Sequence, residues 1–145
     1  MLDNMGHPNR LGVWGWLGGG KWGLERYLYT LHRLTGLGLL CYFLLHIVVT
    51  SARAFGAEAW AASMDRVSGP VFVVGEFLVF CAFAFHAANG VRLVLVELGW
   101  AIGNPIEPVY PYRTSVHEQR PLALGVMVLA GLIVLAGGLD FFILH

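Results

Sequence analysis

Three stretches of this 145-residue chain stay apolar long enough to cross a hydrocarbon core: Leu28 to Thr50, Pro70 to Val96 and Leu122 to Leu144. A helical crossing needs roughly 20 mostly apolar residues at about 1.5 Å each. Polar positions collect between these stretches and ahead of the first. The pattern predicts an all-α integral membrane protein with three transmembrane helices. An interfacial N-terminal segment over 1–27 precedes one membrane domain over 28–145. Composition agrees, with 57% of residues hydrophobic and 12% charged, a balance suited to lipid rather than water.

The segments around the spans read as membrane furniture. Trp14, Trp16 and Trp22 fit the headgroup level, where amphipathic rings anchor. Gly15 to Lys21 matches the start of a phosphate-binding loop, but Trp22 stands where a magnesium-binding Ser or Thr belongs and no strand precedes it. Ser51 to Gly69 is expected as a short polar loop ending at Pro70, which suits a helix start. The second loop, with Pro105, Pro108, Pro111 and Pro121, is expected to be extended. Gly125, Gly131, Gly137 and Gly138 in the third span fit close helix packing, and Cys41 and Cys81 fit small buried side chains.

Charge sets orientation. The net charge is zero, and no basic or acidic run points to nucleic acid. Arg10, Lys21, Arg26, Arg33, Arg92, Arg113 and Arg120 fall on one side of a three-span topology, against Arg53 and Arg66 on the other. This excess places the N-terminus in the cytoplasm and the chain in the cytoplasmic (inner) membrane as a multi-pass protein. No cleavable signal pattern is visible, so the first span is expected to serve as the membrane signal.

The polar residues inside the spans carry the functional information. An ionisable group at mid-span costs at least about 2.5 to 3.5 kcal/mol, so it normally faces a bundle interior and a partner. His32, Arg33, His46, Glu76, His86 and Arg92 are such groups. Arg33 and Arg92 fit the cytoplasmic edge, and Glu76 lies near the opposite edge. His46 and His86 lie too deep for that explanation. Projected on a helix, His32, Thr35, Leu39, Tyr42, Thr50 and Arg53 fall within about 40° of His46. The His86 face collects Gly75, Ala82 and Gly90, which leave space beside the imidazole.

A neutral imidazole beside such space suits haem iron; a hydrogen bond to a neighbouring helix is the competing role. No C-x-x-C-H is present, so any haem is of the b type. With Arg33 and Arg92 at similar depth, His46 lies about 20 Å and His86 about 9 Å from the cytoplasmic edge. The offset of roughly 10 Å favours two sites, with each second axial ligand coming from a partner subunit or absent.

Two stretches then acquire meaning together: Leu31-His32-Arg33-Leu34-Thr35-Gly36 and His86-Ala87-Ala88-Asn89-Gly90-Val91-Arg92. On these, over about residues 28 to 144, the chain resembles the cytochrome b membrane-anchor subunit of succinate dehydrogenase and fumarate reductase. The resemblance implies His86 as axial ligand of a proximal haem b and His46 as ligand of a distal one. It implies His32 near a propionate, Arg33 at the quinone or a propionate, and Arg92 toward a propionate or headgroup. Arg53, on the His46 face, is the candidate partner for a distal propionate. Some members carry a quinone-site serine where this chain has Tyr29. The implied partners are a second haem-ligating anchor subunit, an iron–sulfur subunit, a flavoprotein subunit, the bilayer and quinone. Dicarboxylate chemistry belongs to the flavoprotein, so no complete active site is expected here. The alternatives are a single-haem anchor with His46 structural, and a haem-free anchor or proton-path component.

Overall fold

The computed structural model describes residues 23–104, 107–111 and 115–144. The interfacial expectation for Trp14, Trp16 and Trp22, and the loop residues Pro105, Tyr112 and Arg113, lie outside these residues. Among the described residues the secondary structure is helical, with three helices long and apolar enough to cross a membrane.

Helix α1 (Leu24–Thr50) is 27 residues long and passes directly into a 3-10 turn, Ser51–Phe55. At about 1.5 Å per residue it exceeds the hydrocarbon thickness, leaving its ends for the headgroup region. Gly56 stops it with φ 103°, a backbone state that glycine reaches without the Cβ penalty. Helix α2 (Ala57–Arg66) follows within the segment expected as a plain polar loop. Its sequence AEAWAASMDR is rich in alanine, with Glu58 in the first turn and Arg66 in the last, as the helix dipole favours. It is tied to α1 by the Ser63 hydroxyl donating to the Val49 carbonyl at 3.3 Å, and by Arg53 over the Trp60 ring at 4.7 Å.

Helix α3 (Pro70–Glu97) starts with proline in its first turn, where the missing N–H costs nothing. Helix α4 (Arg120–Leu139) is preceded by a 3-10 turn, Ser115–Gln119, and ends in a π turn, Asp140–Leu144. The end of the second loop is therefore helical rather than extended. Both α1 and α4 begin earlier than the apolar pattern implied, and at their starts Glu25 and Arg120 face each other with Nε to Oε1 at 2.7 Å. That pair puts the starts of the first and third spans on one side of the bundle.

Helix α3 is central and packs along both α1 and α4. Its seam with α4 uses small residues: Gly138 leaves ordinary contact space for Phe77, and any Cβ at Gly137 would overlap the Phe80 ring. Gly125 and Gly131 face open space, so close packing within this chain explains only half of the glycine set. The buried apolar set is small, Leu28, Ala84, Ala123 and Ala130, and it is matched by buried Thr30, Asn89, Arg92 and Gln119. Large apolar side chains such as Phe43, Leu45, Phe83 and Leu135 face outward, as lipid or further helices require.

Candidate functional site: the facing histidines of α1 and α3

The polar interior lies at the shared end of the spans. His86 on α3 and His32 on α1 stack face to face, with ring centroids 4.0 Å apart and planes 8° from parallel. Two glycines permit this approach. A Cβ at Gly36 would lie 2.8 Å from His86 Cε1, and one at Gly90 would lie 3.5 Å from His32 Cε1. The same contacts fix the antiparallel register: Thr30 is level with Arg92, Arg33 with Asn89, and His46 with Glu76.

The hydrogen bonding of His86 defines its chemistry. Its Nδ1 lies 3.1 Å from the His32 carbonyl oxygen and 3.3 Å from Thr35 Oγ1. A carbonyl can only accept, so Nδ1 carries the proton and donates it. Neutral His86 then presents Nε2 with a free lone pair, the tautomer that a metal-ligating histidine needs, held by a backbone acceptor as such ligands usually are. Thr35 is itself fixed, its hydroxyl donating back to the carbonyls of Leu31 at 2.9 Å and His32 at 3.0 Å. The ring is thus bounded by His32 on one face and Gly36 beside it. These residues fit the axial-ligand role of a b haem: Nε2 has no hydrogen-bond partner among the described residues, and Nδ1 and the ring plane are held.

Arg92 is placed differently from the expectation of an edge residue reaching a headgroup. It is 2% exposed. Its Nε donates to Asn89 Oδ1 at 2.9 Å and its Nη1 to Gln119 Oε1 at 2.6 Å. A guanidinium that leaves water must keep its hydrogen bonds, and two amide oxygens supply them here. Asn89 therefore serves its own helix, while Gln119, unremarked in the sequence, links α3 to the start of α4. The only signal for Gln119 was a polar residue directly before the Arg-Pro that opens the third span.

Arg33 is exposed, and its Nη1 donates to the Tyr29 hydroxyl at 3.0 Å. The tyrosine that replaces the familiar serine thus shares a surface with the motif arginine. His46 is exposed on α1 with the Tyr42 ring 5.7 Å away, and among the described residues its imidazole has no hydrogen-bonding partner. Arg53 lies over Trp60 in the turn beyond α1, still on the His46 side of the membrane. The register moves Arg92 one turn nearer the membrane edge than Arg33. It sets His86 level with Gly36, so the separation in depth from His46 grows from roughly 10 Å to about 15 Å.

Near Glu76 a cleft of about 700 Å³ opens between α1 and α3, lined also by Leu39, Tyr42, Phe43, Phe83 and Phe141. Its lining runs from Glu76 to Phe83 and Leu39, one helical turn short of His86 and Gly36.

Three apolar spans enclosing a small polar cluster define a helical integral membrane protein. Within that class, the succinate dehydrogenase/fumarate reductase transmembrane subunit family model matches residues 13–136. The chain belongs to that family. It is 31% identical over 74 residues to the succinate dehydrogenase hydrophobic membrane anchor subunit of Archaeoglobus fulgidus, covering 51% of this chain and 63% of the relative. It is 24% identical over 123 residues to the succinate dehydrogenase 2 membrane subunit SdhC of Mycobacterium tuberculosis, covering 85% and 76%. The corresponding anchor subunit of Halobacterium salinarum is 29% identical over 89 residues, covering 61% and 65%. The matches to the two archaeal relatives span less than two thirds of their length. No solved structure matches.

Proposed function

We propose that the chain is the cytochrome b membrane anchor of a succinate:quinone oxidoreductase, holding haem b with a second anchor subunit and forming part of a quinone site. The observation that carries this reading is the bond from His86 Nδ1 to the His32 carbonyl oxygen, because it leaves Nε2 as the available donor. When bound, the haem iron supplies a one-electron carrier between an iron–sulfur partner and quinone. This chain's residues bind and orient. His86 is the proximal ligand, His32 and Thr35 fix its ring, and Gly36 keeps the approach open. Arg33 and Tyr29 present a cation and a hydroxyl on the outer surface, suited to a quinone carbonyl or a propionate. The flavoprotein, which oxidises the dicarboxylate, is a separate partner, and the N-terminus lies in the cytoplasm.

His46 is the distal ligand in this reading. Its exposure and its lack of an imidazole partner among the described residues support a donor directed at a group held between subunits, rather than a hydrogen bond inside the chain. Haem counted against protein by pyridine haemochrome on the purified complex is expected to give two per anchor pair. His46→Ala should lower the count to one. A wild-type count of one would make His46 structural, and a spectrum without a b-type band would leave a haem-free anchor.

Arg33→Ala is expected to retain haem while lowering quinone turnover about tenfold or more, the loss of one charge-assisted bond of about 1.5 to 3 kcal/mol. Steady-state quinone reduction with the haem spectrum as control checks it. Unchanged quinone kinetics would remove Arg33 from the site.

A further inference from the structure

At the end of the bundle opposite the Glu25–Arg120 pair, an open groove of about 580 Å³ runs between the end of α1 and α2. Val48, Ala52 and Phe55 wall it on one side, and Ala59, Ala62 and Arg66 on the other. The α2 residues recur at helical spacing, so one face of that helix is turned to α1, and the bond from Ser63 to the Val49 carbonyl pins it there. Val48 lies roughly 160° around α1 from His46, so the groove is separate from the proposed distal haem face. Arg66 is the charged residue of the lining; Glu58 and Asp65 lie elsewhere on α2. Its guanidinium is exposed and has neither an ion pair nor a hydrogen bond among the described residues. Ser51 and Ser63 also line the groove, but their hydroxyls donate to the Val48 and Val49 carbonyls at 2.7 and 3.3 Å, which leaves their oxygens only able to accept. Arg66 is therefore the free side-chain donor there.

We propose that this groove binds an anionic phospholipid, with its phosphate on Arg66 and one acyl chain against Val48 and Ala52. Position selects the ligand. The first span ends at Phe55 and the next begins at Pro70, so α2 and Arg66 sit at the headgroup level between them. Trp60, with Arg53 over its ring at 4.7 Å, is the amphipathic aromatic that this depth favours. Val48 lies about 10 Å deeper along α1 than Phe55, within the hydrocarbon. A trough that leads from apolar depth to an unpaired cation at the edge matches a molecule with a chain at one end and an anion at the other. A guanidinium fork suits phosphate, which it meets through two parallel N–H bonds. No carboxylate lines the groove to receive a headgroup ammonium, so a net-negative head is favoured over a zwitterionic one.

Native mass spectrometry of the intact complex, titrated in detergent with phosphatidylglycerol or phosphatidylcholine, counts the lipids retained per copy of this chain. The wild type should hold one more phosphatidylglycerol than Arg66→Gln, with the affinity at that site falling roughly fivefold, the effect of one basic residue near a membrane surface. Arg66→Lys should recover most of it. Phosphatidylcholine should show no such difference, and the same difference with that lipid overturns the anionic preference. Ala62→Phe fills the trough without touching the charge and should also release the lipid, so it carries the test if Arg66→Gln does not assemble. The subunit masses in the same spectra report assembly. Equal retention in the wild type and in either assembled variant overturns the site. A density map in which a partner subunit fills the groove overturns it too.

Discussion

His86→Ala is expected to eliminate the proximal haem while leaving a folded, assembled anchor. The structural loss is limited. The side chain gives up a bond to the His32 carbonyl and its stack on His32, but Thr35 keeps both of its own backbone acceptors. One hydrogen bond is worth about 1 kcal/mol net, too little to unfold three membrane spans. Under the proposed function, in contrast, the haem would lose the nitrogen that the helix pair orients. The reduced-minus-oxidised spectrum should therefore lose the proximal b-type contribution, and the distal one should persist. Dicarboxylate oxidation with a soluble acceptor should survive, since the proposed function assigns that chemistry to a partner subunit. Added imidazole should restore part of the band by entering the vacated space beside His32 and Gly36. A spectrum identical to wild type would refute the ligand assignment.

The spans were legible because lipid makes one severe demand: a long apolar run with every backbone group bonded internally. The spans expected to start at Leu28 and Leu122 start earlier, at Leu24 and Arg120. The added turns are polar and carry Glu25 and Arg120, which pair across 95 positions, a contact no local pattern reveals. Helix α2 hides for the opposite reason: its polarity resembles a loop, while its alanine content and charge placement favour a helix.

The polar residues that meet between α1 and α3 are visible in the sequence one by one, but the way they meet is not. Helical periodicity placed His32, Thr35 and His46 on one stripe of α1, and small residues beside His86 on α3. That His32 and His86 share a stack, and that Gly36 is the clearance for it, depends on the register between two helices, which sequence spacing within each cannot fix. Arg92 illustrates the same limit. Read alone, a long cation at a span end reaches for water; with Gln119 and Asn89 offering amide oxygens, it is buried instead. The register also sets His86 and His46 about 15 Å apart in depth, too far for both imidazoles to reach one metal ion.

The register leaves Gly36 no room for a side chain beside His86. In Gly36→Ala the new methyl would lie 2.8 Å from His86 Cε1 and 3.3 Å from Nδ1, closer than atoms of these types tolerate. The ring cannot easily yield, because His32 stacks on it and its Nδ1 is committed to the His32 carbonyl. Overpacking of this kind costs about 1 to 3 kcal/mol, and the strain falls on the bond that sets the His86 tautomer. Gly36→Ala should therefore shift the proximal haem's midpoint potential and lower its occupancy, and Gly36→Val should remove it. Gly38→Ala is the matched control: two residues along the same helix, a Cβ there meets nothing within 4 Å. Haem content and potentiometric titration of the three variants test this directly. If Gly36→Val keeps a wild-type spectrum, α1 and α3 do not meet at this register in the assembled complex. The facing arrangement of His32 and His86 would then have to be abandoned along with it.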